Sequence, residues 1–166
     1  MEHIYAPWRK DFIEKKEKEE GCIFCKRKEL DISLDSLVIY KGKLSFILLN
    51  KYPYNNGHIM VAPYSHKGDF TELNDDELLE LSQNIRLGIR VLKKAYSPQG
   101  FNIGMNLGSI AGAGVADHLH WHIVPRWSGD TNFMPVIGET KVLHEVLSDT
   151  FNKVIPVIKE VKDLNY

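Results

Sequence analysis

The sequence predicts an α+β fold, on three observations. Apolar strand-like segments recur at 37–40, 44–49, 57–63, 100–107 and 118–124. One long segment with helical periodicity, 75–95, falls between the third and fourth of them. Turns rich in Gly, Pro and Asn separate neighbouring strands, which favours hairpins and an antiparallel sheet with helices set apart from it.

Taken in order, residues 1–7 read as an irregular arm. Trp8 to Glu20 reads as a short helix whose charged end, Lys15 to Glu20, is a solvated face, and Gly21 stops it. Cys22-Ile23-Phe24-Cys25 follows in a loop or turn. Lys41-Gly42-Lys43 suits a tight hairpin between the first two strands. Pro53 and Asn55-Asn56-Gly57 mark the turn into the third strand, which Pro63 ends. Asn74 caps the long helix, with Glu77 three residues on completing a capping-box pattern. Leu78, Leu81, Ile85, Ile89 and Leu92 make one stripe at helical spacing, which is core and not a binding groove. In the fourth strand Phe101, Ile103 and Met105 share a face. Gly108 to Gly114 is small and flexible, and 118–124 is the last core strand. Val142 to Val161 reads as a second helix capped by Thr140, which Pro156 should kink or end. With no repeat and no second composition regime, one domain is expected over 1–166, its core at about 20–140 and its C-terminal helix at 142–161.

A chain of 166 residues buries about 70% of its unfolded surface, enough for one core. Hydrophobic residues at 43% and charged residues at 26% are an ordinary soluble composition. A formal net charge of −1 argues against broad electrostatic binding to nucleic acid or an anionic membrane, so local groups must hold any anionic ligand. No apolar run of about 18 residues and no signal-peptide pattern occurs, which argues for the cytoplasm. Two cysteines, three apart, are too few for a disulfide framework and read as a metal-ligand or redox pair.

The run His118-Leu119-His120-Trp121-His122-Ile123-Val124 organises the rest. Strict alternation puts the imidazoles on one face and Leu119, Trp121 and Ile123 on the other. Three readings compete. The first is a polar strand face with satisfied histidines. The second is a three-histidine metal site, but His118 and His122 lie roughly 13 Å apart in an extended strand at ~3.3 Å per residue. Metal–nitrogen bonds of about 2.0–2.1 Å cannot span that. The third is chemistry on phosphate, with one imidazole as nucleophile and a neighbour supporting the charge and the departing group.

The run matches the histidine-triad signature, His-φ-His-φ-His-φ-φ, at all seven positions. Gly57-His58-Ile59-Met60-Val61-Ala62-Pro63 resembles that family's Gly-His-φ-φ-φ-x-Pro strand, and Cys22-Ile23-Phe24-Cys25 is similar to the N-terminal segment of its metal-binding members. Asn106-Leu107-Gly108, Asp117, Pro125-Arg126-Trp127 and Gly129-Asp130-Thr131-Asn132-Phe133 resemble the bacterial diadenosine tetraphosphate phosphorylase-like branch. The resemblance implies a five-stranded antiparallel sheet with a packed helix, paired into a homodimer.

It also implies roles. His120 aligns with the nucleophile, its other ring N–H held by a backbone carbonyl near the third histidine. His122 aligns with the contact to phosphate and bridging oxygens, and His58 with a fourth histidine facing the same phosphate. Asn50 would bind the ribose; Ile23, Phe24 and Leu48, which by themselves read as core, would sandwich the purine. Asn106 would reach phosphate or sugar, and Gly112 and Gly114 would bring backbone N–H groups to an anion. One departure matters: Ala113-Gly114-Val115 stands where better-known eukaryotic branches carry Gly-Gln-[Ser/Thr]. Neither that amide nor that hydroxyl is available, which weakens the case for simple hydrolysis. Residues 130–132 could order the segment after the triad near the site.

Zinc needs four ligands, and the chain has two cysteines. His66 and His118 complete a Cys22, Cys25, His66, His118 set of the kind found in the wider superfamily, including galactose-1-phosphate uridylyltransferase. Free thiols or a redox pair are the alternatives. The leading expectation is cleavage of a purine dinucleotide, diadenosine tetraphosphate, with inorganic phosphate as acceptor. Hydrolysis of dinucleoside polyphosphates, phosphoramidates or adenylyl sulfate is the alternative within enzymes. A nucleotide-binding regulatory module is the alternative outside them.

Overall fold

The structure, a computed structural model, describes residues 21–130 and 143–163. The expected arm, the helix at Trp8–Glu20, the Thr140 cap and residues 131–132 lie outside the described residues. Five strands form one sheet: β1 (Val38–Lys41), β2 (Ser45–Leu49), β3 (Ile59–Pro63), β4 (Gly100–Gly104) and β5 (Trp121–Arg126). Their order is β1-β2-β3-β5-β4, with every neighbouring pair antiparallel. Three α-helices are described: α1 (Ile23–Lys28), α2 (Asp75–Tyr96) and α3 (Leu147–Asp163). Among the described residues, no helix is long and apolar enough to cross a membrane.

Local sequence explains the main elements. The β1–β2 turn closes with the Gly42 N–H on the Ser45 carbonyl at 2.8 Å, and Glu80 Oε1 on α2 accepts the N–H groups of Leu44 and Ser45. Helix α2 starts at the expected capping box: Asn74 Oδ1 accepts the Glu77 N–H, and Glu77 Oε2 accepts the Asn74 N–H. Leu81 and Leu92 of its stripe are buried, and Leu78, Ile85 and Ile89 pack against the same core. Gly88 brings the helix backbone directly onto the sheet, since a Cβ there would lie 2.8 Å from Ile59 Cδ1.

The sheet has two unequal faces. On one, Ile39, Ile47, Leu49, Ile59, Val61, Leu119 and Ile123 pack under α2 and α3. On the other, Val38, Phe46, Leu48, Met60 and Ala62 form a smaller cluster closed by Phe24 of α1.

Four expectations change. Cys22 to Cys25 is not a loop: Cys22 sits at the N-cap of α1, whose basic last turn Lys26-Arg27-Lys28 suits the helix dipole and whose Phe24 is buried. Strand β5 begins at Trp121, later than expected, because β3 ends at Pro63 and the Leu119 N–H instead donates to the Lys67 carbonyl at 2.8 Å. Strand β4 ends at Gly104, short of Leu107, and as an edge strand leaves Ile103 exposed. Pro156 lies inside α3 and does not end it; Pro156 and Asn152 are both exposed, so water can solvate the carbonyl that the proline leaves unbonded.

Candidate active site

The site is built on the face opposite the long helix. Leu119, Trp121 and Ile123 turn into the helix-covered core, so His118, His120 and His122 point to the other side. His58, just before β3, joins them: its Nε2 lies 2.9 Å from His122 Nδ1. The pairing of Met60 with His122 and of Leu48 with Met60 lays an apolar floor beside the imidazoles. Gly104 pairs with His122 from β4, and a Cβ there would meet nothing within 4 Å, so that side is open.

Backbone groups fix which nitrogen of each ring carries the proton. An amide N–H can only donate, so the Tyr54 N–H, 3.0 Å from His58 Nδ1, makes that nitrogen an acceptor. His58 then carries its proton on Nε2 and donates to His122 Nδ1. His122 is left with an Nε2–H donor. A carbonyl can only accept, so His120 donates Nδ1–H to the His118 carbonyl at 2.9 Å and keeps a lone pair on Nε2. His118 donates Nε2–H to the Pro63 carbonyl at 2.9 Å and keeps a lone pair on Nδ1. The acceptor for His120 is thus the carbonyl of the first histidine of the run, not one near the third.

Burial keeps these rings neutral. It pushes His58 down to about 3, helped by the nearby His122 and His120. It lowers His118 to about 4 against an opposing hydrogen bond to Pro63, and His122 to about 4. His120 is lowered by burial as well, with its bond to the His118 carbonyl working the other way. Neutral imidazoles are what a nitrogen nucleophile and a metal ligand both require.

The His118 lone pair faces a second cluster. Its Nδ1 lies 3.3 Å from Cys22 Sγ, 3.6 Å from Cys25 Sγ and 3.3 Å from His66 Nδ1, and Cys25 Sγ lies 3.4 Å from His66 Nδ1. The four ligand atoms are all within 4.8 Å of one another. A zinc tetrahedron with bonds of roughly 2.0–2.3 Å has edges of about 3.3 Å between nitrogens and about 3.6 Å between nitrogen and sulfur. The residues present therefore fit zinc. Burial and the neighbouring Cys22 raise the Cys25 thiol, so holding it as a thiolate calls for a cation.

Other expected residues are placed less simply. Phe24 and Leu48 are each 1% exposed, beneath the rings; Phe24 packs on His118 and His120 at ring-centroid distances of 5.1 and 4.7 Å. Of the three expected purine contacts, only Ile23 keeps appreciable surface. Asn50 is turned inward: its Oδ1 accepts the Tyr52 N–H, and its Nδ2 lies 3.3 and 3.4 Å from the His58 ring nitrogens. Asn106 donates to the Gly112 carbonyl at 3.2 Å. The Gly112 N–H closes onto Ser109 and the Ala113 N–H onto Gly108, so Gly112 does not offer its donor to an anion. Gly114 has open space beyond its Cα. Asp130 does order the turn after β5: Arg126 grips it with Nε and Nη2, and Asn55 bridges Asp130 to the Pro125 carbonyl.

Sequence reasoning missed Tyr54, whose backbone sets the His58 tautomer and whose ring lies on His58 at 4.7 Å and on His122 at 5.6 Å. The available signal was a pair of aromatics, Tyr52 and Tyr54, in a polar turn directly before the site.

Comparison with known proteins agrees with this geometry. The HIT domain family matches residues 32–129. A Mycobacterium tuberculosis protein described as AP-4-A phosphorylase is 48% identical over 116 residues, covering 70% of this chain and 60% of that protein. The chain thus spans less than two thirds of that relative's length. An uncharacterized HIT-like protein of Methanocaldococcus jannaschii is 35% identical over 138 residues, covering 83% of this chain and 98% of that one. Among solved structures, a Zn-bound histidine triad family protein from Mycobacterium smegmatis superposes with a TM-score of 0.70 at 21% identity, covering 87% and 98% of the two chains, which shows the shared fold.

Proposed function

The chain belongs to the HIT domain family, and from that premise we propose that it is a nucleotidyl transferase acting on dinucleoside polyphosphates through a covalent nucleotidyl-histidine at His120. The observation that carries the reading is the pair of fixed tautomers: a lone pair on His120 Nε2 beside an N–H donor on His122 Nε2. In the first step His120 Nε2 attacks the α-phosphorus of diadenosine tetraphosphate. The bond from that phosphorus to the bridging oxygen breaks, and ATP leaves with its new charge met by the His122 N–H. In the second step an oxygen of inorganic phosphate attacks the same phosphorus, the N–P bond breaks, and ADP leaves with His120 restored. Throughout, the His118 carbonyl holds the Nδ1 proton and stabilises the positive charge that develops on the ring.

Two things favour phosphate over water as acceptor. The loop before the triad has Ala113-Gly114-Val115, without the amide and hydroxyl of hydrolytic branches. The similar Mycobacterium tuberculosis protein bears the name of a phosphorylase. Labelled phosphate supplied during turnover tests the choice. Label in ADP supports phosphorolysis; unlabelled AMP assigns water and makes the protein a hydrolase. Bound nucleotide with no turnover under either condition makes it a binding module.

The same reading assigns Cys22, Cys25, His66 and His118 to one structural zinc, which when bound would tie α1 to the catalytic strand. Elemental analysis of protein purified without added metal should give one zinc per chain. Absence of metal with both thiols freely reactive would remove the assignment. A homodimer is the expected assembly, measurable by sedimentation.

A further inference from the structure

The rings of the site form an unbroken row. Phe24 packs on His120 at 4.7 Å, His120 on His122 at 5.0 Å, His122 on His58 at 5.1 Å and His58 on Tyr54 at 4.7 Å. The two ends differ from the middle and from each other. At one end Phe24 is sealed, with half-buried Ile23 beside it. At the other end Tyr54 is 54% exposed although it touches the buried His58 and the half-buried His122.

That exposure is imposed by the backbone. The Tyr54 N–H is bound to His58 Nδ1, and the Tyr52 N–H to Asn50 Oδ1. The turn is closed further by the Asn50 N–H on the His58 carbonyl and the His58 N–H on the Asn55 carbonyl. A tyrosine so anchored keeps one face on the imidazoles and presents the rest outward. Lys51, exposed in the same turn, holds its ammonium 5.8 Å from the centre of the Tyr52 ring.

We infer that Tyr54 is the stacking platform for the second nucleobase of a dinucleoside polyphosphate, the base on the departing half. The inference rests on the reading of His120 as nucleophile toward such a substrate. A molecule with a base at each end and phosphates between has the polarity of this row: apolar end, imidazoles, aromatic end. Every base offers a π face, and base–aromatic stacking contributes about 1–3 kcal/mol, which is roughly 5- to 150-fold in affinity. Tyr54 is thus a specificity-determining residue, separating dinucleoside from mononucleoside polyphosphates.

The test uses two ligands, diadenosine tetraphosphate and adenosine 5′-tetraphosphate, which keeps the adenosine and four phosphates and lacks the second nucleoside. Binding is measured in the His120→Ala chain, so that turnover does not interfere. The readout is the ratio of the two dissociation constants. That ratio should favour the dinucleotide by about tenfold, collapse when Tyr54→Ala is added, and survive Tyr54→Trp. A ratio that Tyr54→Ala leaves unmoved, or that Tyr54→Trp fails to restore, overturns the inference and leaves Tyr54 as a buttress for His58 and His122. The catalytic reading fails separately: wild-type protein that shows the dinucleotide preference and no cleavage would refute the enzyme and keep the platform.

Discussion

The two faces of the sheet are drawn from alternate residues of the same strands, and they are held by different forces. Under α2 and α3 the contacts are apolar and interchangeable in kind: Ile59, Val61, Leu119 and Ile123 fill space, and no hydrogen bond directs them. On the opposite face, beside the smaller apolar cluster, the buried rings of His58, His118 and His120 and the half-buried ring of His122 are each oriented by a particular atom of the chain, namely the Tyr54 N–H, the Pro63 and His118 carbonyls and the Nε2–H of His58. Volume specifies the first face and direction specifies the second. Substitutions on the two should therefore separate stability from chemistry.

The largest contrast is His120→Ala. Removing the nucleophile should lower turnover by about 10⁴-fold or more while nucleotide affinity persists. Wild-type-like turnover would take His120 out of the mechanism. On the other face Ile123→Ala deletes a fully buried side chain packed against Ile59 and Gly88, and should cost about 3–4 kcal/mol of unfolding free energy in urea melts. The folded fraction of that variant should keep turnover within a few-fold. A loss comparable to that of His120→Ala would mean the faces are not separable.

The next effect depends on pH. Folded His58 titrates at about 3 and His122 at about 4, against about 6.5 for an unfolded imidazole. Between these limits the unfolded chain binds more protons, so stability is full above pH 6.5 and declines as pH falls. Buried His58 should contribute a decline of up to about 1.4 kcal/mol per pH unit, or about 2 kcal/mol by pH 5, and the more exposed His122 a smaller one because solvent screens it. His58→Asn should flatten that profile, and an unaltered slope would show that His58 is not held neutral. The smallest effect is Gly88→Ala. A gain of about 1 kcal/mol in helix propensity is set against a Cβ 2.8 Å from Ile59 Cδ1, and a net loss of about 1 kcal/mol is expected in the same melts.

The difference between the faces also explains what was legible in the sequence alone. Alternation along 118–124 assigned every side chain of that run to its face, because period two is a property of the sequence itself. The long helix was legible to within a residue, since both halves of its capping box are side chains. The proton positions were not legible: they depend on carbonyls and amides that every sequence possesses and only folding brings near a ring. The short helix at Ile23–Lys28 was hidden for a related reason, since six residues have little intrinsic helicity and the burial of Phe24 is a tertiary event. Ile23, Phe24 and Leu48 read as core by their own pattern and as purine contacts by resemblance; folding closes Phe24 and Leu48, and the pattern alone did not say which of the three would keep surface. Tyr54 looked like any turn aromatic until His58 was placed under it.

The Asp130 junction has a consequence for alignment. Strands β3 and β5 share few ladder partners, Ile59 to Val61 against Trp121 to Ile123. A slip of one residue between them would drive the imidazoles into the helix-covered core and expose Trp121 on the opposite face. At one end of this short ladder Asp130 is pinned by Arg126 and by Asn55, which also holds the Pro125 carbonyl. At the other, the Leu119 N–H on Lys67 and the His118 ring on Pro63 fasten the strand before its ladder begins. A slipped pairing would have to break both fastenings at once, so the histidine frame is kept in phase by groups outside the ladder itself.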